Sequence, residues 1–230
     1  PSNLVNPTGY FGPSSRGKAN SLCVSAPVVE DDADDSMDDS EDDSDMTLGG
    51  EASLKDFETD DASDDTIEEG AEDAEVAELT VEFEDGDAEI SRIDISFDSG
   101  DTSDAWDVFE TISLWVDGDK VAEENADNED DWQNDEETMR FSGLDIIAMD
   151  EEELDIVVAV TLQNSIDAAD LDTYTVTVES MRFFDADGVA TTEGVADAPL
   201  SGAGTASFTI EEEGTDDEIT AKSSSNDPDA

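Results

Sequence analysis

Residues 154–163 read LDIVVAVTLQ, an almost uninterrupted apolar stretch. Four of its larger residues recur with a period of two: Ile156, Val158, Val160 and Leu162. This is the spacing of side chains along one face of a β-strand. The residues between them are smaller, so the stretch predicts a strand that is buried within a sheet.

Shorter alternating segments lie on both sides of this strand, from about residue 74 to residue 212. Their apolar residues keep the same period: Leu79, Val81 and Phe83; Ile93, Ile95 and Phe97; Ile112, Leu114 and Val116; Tyr174, Val176 and Val178; Phe208 and Ile210. Turn sequences rich in Asp and Gly separate the segments. We therefore predict a mainly β fold, an antiparallel two-sheet sandwich of about seven to nine strands, with Trp106 and Trp115 as large core residues.

Composition divides the chain into four zones. We assign them as an N-terminal piece at 1–29, an acidic low-complexity linker at 30–73 with a possible edge strand near 50–58, the sandwich at 74–213, and a polar tail or linker at 214–230. Residues 30–46 read EDDADDSMDDSEDDSDM. Such a run repels itself and cannot bury a core, so it predicts an extended, solvated spacer.

Acidic residues outnumber basic ones by 68 to 8, which gives a formal net charge of -60. At low ionic strength this charge repels itself and favours an expanded chain. At molar salt the Debye length falls to roughly 3 Å, and the carboxylates hardly interact. Because the acids stand beside well-patterned apolar segments, we expect a folded protein of a salt-adapted microbe.

The residue types that are missing exclude several functions. Without histidine there is no Ser-His-Asp triad and no histidine-based zinc or iron site. The single cysteine, Cys23, cannot form an internal disulfide. The few scattered Lys and Arg argue against a nucleic-acid partner, and no apolar run is long enough for membrane insertion. No carboxylate pair stands out among so many, so we expect a protein that is not an enzyme.

Two acidic loops are candidate cation sites, and weak Ca²⁺ binding is the one cofactor interaction that we consider. Asp185 and Asp187 begin a D-x-D-G sequence, but the glutamate that an EF-hand needs at position 12 is replaced by Ala196. The same sequence also suits a tight hairpin turn. The second loop offers four carboxylates: Asp98, Asp101, Asp104 and Asp107.

Trp132, in the sequence EDDWQND, is the candidate for an exposed aromatic side chain. An aromatic ring on the surface of a sandwich can stack on a sugar ring, as it does in carbohydrate-binding modules. A lone Trp among acidic residues also suits partial burial as an anchor of the core. The sequence leaves both interpretations open.

The segment NPTGYFGPSSRGKANSLC at 6–23 carries a family resemblance. It resembles the closing stretch of the peptidoglycan-binding domain 1 family, a three-helix wall-binding module, at Gly9, Tyr10, Phe11, Gly12, Pro13 and Arg16. Gly17 departs from that pattern, since glycine weakens a helix by roughly 1 kcal/mol. The resemblance implies a short helical remnant of such a module, and a cell-wall polymer as the partner of the complete module.

Two segments of the sandwich are similar to Ig-like repeats of bacterial surface proteins: ISLWVDGDKVAEE at 112–124 and SMRFFDADGVATTE at 180–193. This resemblance implies an Ig-like sandwich that is secreted or displayed on the cell surface. We therefore expect a structural or adhesive protein whose edge strands can add to other copies of itself. The alternative is a calcium- or carbohydrate-binding accessory module of a larger secreted enzyme.

Overall fold

The computed structural model describes residues 48–62, 65–100, 104–133, 137–212 and 214. These residues belong to the second of two compact units of the chain, Met46–Ala230. The family resemblance at residues 9–16, Cys23, the acidic run at 30–46 and the tail from 215 onward lie outside the described residues. The expectations attached to them stay predictions.

The described residues form two β-sheets. The first sheet is antiparallel and contains, in spatial order, β1 (Gly50–Asp61), β3 (Ala74–Gly86), β8 (Glu153–Leu162), β5 (Phe109–Val116) and β6 (Asp119–Asn125). The second contains β2 (Thr66–Glu68), β11 (Ala206–Glu211), β9 (Thr173–Phe184), β4 (Ala88–Asp98) and β7 (Thr138–Ala148), and β10 (Ala190–Gly194) also pairs with β9. The helices are single 3-10 turns at Ala105–Asp107, Glu129–Asp131 and Leu200–Gly202.

The prediction of a mainly β, two-sheet fold is confirmed. The stretch LDIVVAVTLQ lies at the centre of the first sheet, where Ile156 pairs with Leu79 and Val158 pairs with Leu114. The described residues contain eleven strands rather than seven to nine. The additional strands are short or exposed, such as β2 with three residues and β6 with few buried side chains, so they lack a strong alternating pattern.

Aromatic side chains join the two sheets face to face. Phe109 of the first sheet lies 5.1 Å from Tyr174, 5.5 Å from Phe97 and 6.3 Å from Phe208, all in the second sheet, measured between ring centroids. Phe83 and Phe183 form a second contact between the sheets, edge to face at 4.8 Å. Such pairs add about 0.5–1.5 kcal/mol each beyond the burial of their area.

Residues 50–68, which composition assigned to a linker with a possible edge strand near 50–58, supply an edge strand to the first sheet and a short strand to the second. β1 pairs along β3 at the edge of the first sheet, and β2 pairs with β11, in the same direction, in the second. Where β1 begins, the backbones of Gly50 and Gly86 cross so closely that an added Cβ at Gly50 would lie 2.2 Å from the carbonyl oxygen of Asp85. Only glycine fits at this crossing.

The expectation for Trp115 is wrong, because its side chain does not belong to the core. Ile112 and Leu114 are fully buried between the sheets, and Trp115 is half-buried on the opposite face of β5. Trp106 is also half-buried, and it packs against the edge of the core. Of the three tryptophans, Trp132 is the one that is buried in the core, with only 6% of its surface exposed.

In the described ranges, no helix combines the length and the apolar character that crossing a membrane requires.

Candidate functional site

The D-A-D-G sequence forms the turn between β9 and β10. Oδ1 of Asp185 accepts hydrogen bonds from the backbone N–H groups of Asp187, at 3.0 Å, and Val189, at 2.8 Å. Gly188 has a φ of 76° and donates to the backbone carbonyl of Asp185 at 2.9 Å. These hydrogen bonds explain the D-A-D-G sequence as that of a tight turn. Calcium binding by Asp185 and Asp187 stays a prediction.

The second acidic loop is described only in part, because Asp101 lies outside the described residues. Oδ1 of Asp98 accepts a hydrogen bond from the N–H of Gly100 at 2.6 Å. Asp104 flanks the 3-10 turn Ala105–Asp107. Within the part of the chain that is described, no group of three or more acidic or thiol side chains is arranged to hold a metal ion.

Asp104 and Asp107 instead face a different loop. The pKa of Asp170 is raised, first by partial burial and then by the negative charges of Asp107, Asp167 and Asp104. The four carboxylates therefore repel one another at this end of the sandwich.

The outer face of the first sheet carries a different cluster, which we call the Trp115 site: Asp73, Glu75, Trp115, Lys120 and Val157. Trp115 lies directly opposite Lys120 on β6 and opposite Val157 on β8. Asp73 has a φ of 48° just before β3, and its N–H donates to Oγ1 of Thr161 on β8 at 3.2 Å. Four strands, β3, β5, β6 and β8, and the loop that carries Asp73 thus meet at this site.

Lys120 links the parts of the Trp115 site. Its Nζ donates to Oδ1 of Asp73 at 2.8 Å and to Oε2 of Glu123 at 2.5 Å, and it lies 5.0 Å from the centroid of the Trp115 ring. Hydrogen bonds to Asp73 and then to Glu123 raise the pKa of Lys120. Nε1 of Trp115 donates to Oγ of Ser113 at 2.9 Å, so a hydrogen bond and the lysine above the ring both hold the indole in place.

A shallow concavity of about 280 Å³ lies beside the indole. It is lined by Asp73, Glu75, Trp115, Gly118, Val157 and Ala159. An aromatic wall next to carboxylate acceptors is an arrangement that can stack on one face of a sugar ring and accept hydrogen bonds from its hydroxyl groups.

Trp132 cannot serve this purpose: of its two interpretations, the anchor of the core is confirmed and the exposed ring that stacks on sugar is wrong. Its ring packs at 6.1 Å from Phe97 and 6.0 Å from Phe109, and its Nε1 donates to the carbonyl of Ala126 at 3.0 Å. The period of two in ISLWV could have identified Trp115 as the tryptophan that faces outward. If Ile112 and Leu114 face the core, Trp115 must face outward.

The outer face of the second sheet contains a buried carboxylate, Asp94, which is 4% exposed. Oδ1 and Oδ2 of Asp94 accept hydrogen bonds from Nε and Nη2 of Arg140, both at 2.8 Å, and Oδ2 accepts one from Oγ of Ser180 at 2.9 Å. Burial alone would raise the pKa of Asp94. The hydrogen bonds from Arg140 and Ser180 and the charges of Arg140 and Arg92 outweigh burial and lower that pKa.

No protein-family model matches the chain, and no curated protein does. Among solved structures, the chain is similar to the major pilin subunit of Bacillus cereus, with 8% sequence identity and a TM-score of 0.28. The match covers 70% of this chain and 40% of the pilin chain, so it spans less than half of the length of that chain.

We expect Asp94→Asn to lower the free energy of unfolding by about 1–3 kcal/mol at neutral pH, because the bidentate charged hydrogen bond to Arg140 is lost. The lowered pKa of Asp94 stabilises the fold above the unfolded-state pKa of about 4. That contribution disappears as the pH falls through the folded-state value. Denaturant unfolding in molar salt at neutral and acidic pH measures both effects.

The difference between the natural chain and the Asp94→Asn variant should therefore shrink below about pH 4. A difference that is constant with pH would show that the carboxylate charge of Asp94 does not stabilise the fold.

Proposed function

We propose that this chain is a non-catalytic structural or adhesive protein of the cell surface of a salt-adapted microbe. The observation that carries the proposal is the separation of apolar and acidic residues. Among the described residues, the buried polar or charged side chains are Thr59, Asp94, Ser113 and Thr138, whereas the rest of the buried set is apolar. The sandwich combines a closed apolar interior with a carboxylate surface.

This separation suits concentrated salt. The core is built in the ordinary way, from aliphatic and aromatic residues, and the excess charge lies where water and ions reach it. Salt screens the repulsion between the carboxylates, while the hydrated acidic surface keeps the molecule soluble. When salt is removed, the repulsion between the carboxylates is no longer screened, and the same core has to compensate for all of it.

Attachment of the protein to the cell envelope is supported by the wall-binding resemblance at Gly9–Arg16, which lies outside the described residues. A complete module of that kind would hold a cell-wall polymer. Assembly of several copies by strand addition is supported by β6, an edge strand whose residues are mostly exposed. The other end of the first sheet is partly covered, because the N–H of Thr59 on β1 donates to the carbonyl of Ala203 at 2.6 Å.

A carbohydrate-binding accessory module is the second candidate, and the Trp115 site favours it. A half-exposed indole and two carboxylates line one concavity on the outer face of the sheet, and Lys120 lies over the indole and binds one of these carboxylates, Asp73. This candidate differs from the first in requiring a defined saccharide ligand.

The salt dependence gives the first prediction. We expect the sandwich to be folded in molar NaCl or KCl and to unfold on dialysis into salt-free buffer, because the Debye length grows from roughly 3 Å toward 30 Å. Near-ultraviolet circular dichroism of the buried aromatic residues, followed during dialysis, measures the loss of packing. A spectrum that is unchanged in salt-free buffer would contradict salt adaptation.

Surface display gives the second prediction. Antibodies raised against the folded chain should label intact, unpermeabilised cells of the source organism, and protease added to those cells should remove the label. Antibodies against a cytosolic enzyme of the same cells are the control and should label them only after lysis. Labelling by both antibodies only after lysis would overturn the proposal of a surface protein.

The saccharide candidate gives the third prediction. If the Trp115 site binds sugar, then tryptophan fluorescence should change saturably with one member of a set of soluble cell-wall and storage oligosaccharides. Trp115→Ala should weaken binding of that saccharide several-fold in isothermal titration, a readout that does not depend on the removed fluorophore, since aromatic stacking contributes about 0.5–1.5 kcal/mol. Val121→Ala, which alters an exposed residue of the adjacent strand, is the matched control. No response to any saccharide would eliminate this candidate and leave the first.

A further inference from the structure

All three arginines in the described ranges lie on one face of the molecule. Arg92 is on β4, Arg140 on β7 and Arg182 on β9, which are neighbouring strands of the second sheet. Their register places Arg92 directly opposite Arg182, and Asp94 directly opposite Arg140. The half-buried arginine side chains and Asp94 form what we call the arginine face.

The positive charges of this face are not balanced. Arg140 is fully engaged with Asp94, and the two described lysines, Lys55 and Lys120, each form an ion pair. Arg182 forms no ion pair with any residue that the structure describes; its Cζ lies over the ring of Phe184 at 4.8 Å.

The positive charge of Arg92 is almost as poorly compensated as that of Arg182. Its nearest carboxylate oxygen is Oδ1 of Asp94, at 3.8 Å from Nε, which is longer than a hydrogen bond. That oxygen already accepts from Arg140. Nε of Arg92 is buried and has no hydrogen-bond partner within the described part of the chain.

Two like charges directly opposite each other on a sheet destabilise it, since their Cβ atoms lie only about 5 Å apart. Arginines that lack a partner are unexpected in a chain with 68 acidic residues. We propose that Arg92 and Arg182 form a binding site for a sulfate or phosphate group, held between their guanidinium groups. A dianion neutralises both surplus charges, and each planar guanidinium can donate two parallel hydrogen bonds to its oxygens.

Asp94 is a positioning residue for this site. It binds Arg140 and Ser180 and holds Arg92 by charge alone, so the guanidinium of Arg92 keeps donors for a ligand. The hydroxyl of Ser91 donates to the carbonyl of Arg182 at 3.1 Å and fixes β4 against β9 beside the pair. In molar salt, the exposed carboxylates elsewhere on the surface are largely screened, whereas the half-buried charges of the arginine face are screened less.

Nitrogen-15 spectra of the arginine Nε–Hε groups test the site in molar NaCl. Sodium sulfate replaces NaCl at constant ionic strength, and the expected result is a saturable shift of the Arg92 and Arg182 signals. The Arg140 signal should stay in place, because its guanidinium is bound to Asp94. A sulfated disaccharide that saturates at lower concentration than inorganic sulfate would assign the site to a sulfate ester, and equal or weaker binding would assign it to the free ion.

Arg182→Gln should abolish the shift of the Arg92 signal, and Lys55→Gln should not. The two variants lose the same charge, but Lys55 lies on the first sheet. Arg182→Lys keeps the charge without the planar fork and should bind sulfate severalfold more weakly, which covers the case that Arg182→Gln fails to fold. The inference is overturned if the shifts do not saturate, if Arg140 shifts equally, or if none of the three signals moves.

Discussion

Packing of Phe109 against aromatic rings of the opposite sheet is the interaction on which the sandwich depends. Its ring meets Tyr174, Phe97 and Phe208 across the interface, and Trp132 closes the same cluster from a loop. In most proteins surface ion pairs add a little to such a core. Here the acidic residues far outnumber possible cationic partners, so at low salt the surface opposes folding and the core must offset that repulsion.

The alternation of apolar residues was sufficient to predict the class of fold and most of the core. Segments such as 79–83 and 93–97 have one clear solution, because a shift of one residue would expose every large side chain. β2 was not predictable in this way, since its three residues pair with β11 far along the chain. β6 was not predictable because its residues are mostly exposed and show no apolar alternation. The prediction for Trp115 is wrong because its large side chain suits a core, but its place next to Leu114 in the strand puts it on the opposite, outer face.

The clusters on the two outer faces could not be read from the sequence. Lys120 and Asp73 are 47 residues apart, and Arg140 and Asp94 are 46 apart. The arginines appear scattered along the chain, and only the strand order of the second sheet brings them to one face. With 68 acidic residues, the sequence also cannot indicate which few carboxylates pair with a Lys or Arg side chain and which repel one another. Strand order and register decide that.

The parallel pairing of β2 with β11 has a mechanical consequence. Residues 66–68 run beside residues 209–211 in the same direction. The N-terminal end of β2 and the C-terminal end of β11 therefore lie at opposite ends of the paired strands. Once β1 is drawn from the edge of the first sheet, tension along the chain pulls these two strands past each other rather than apart. Their hydrogen bonds are then loaded in shear, and all of them resist the force at the same time.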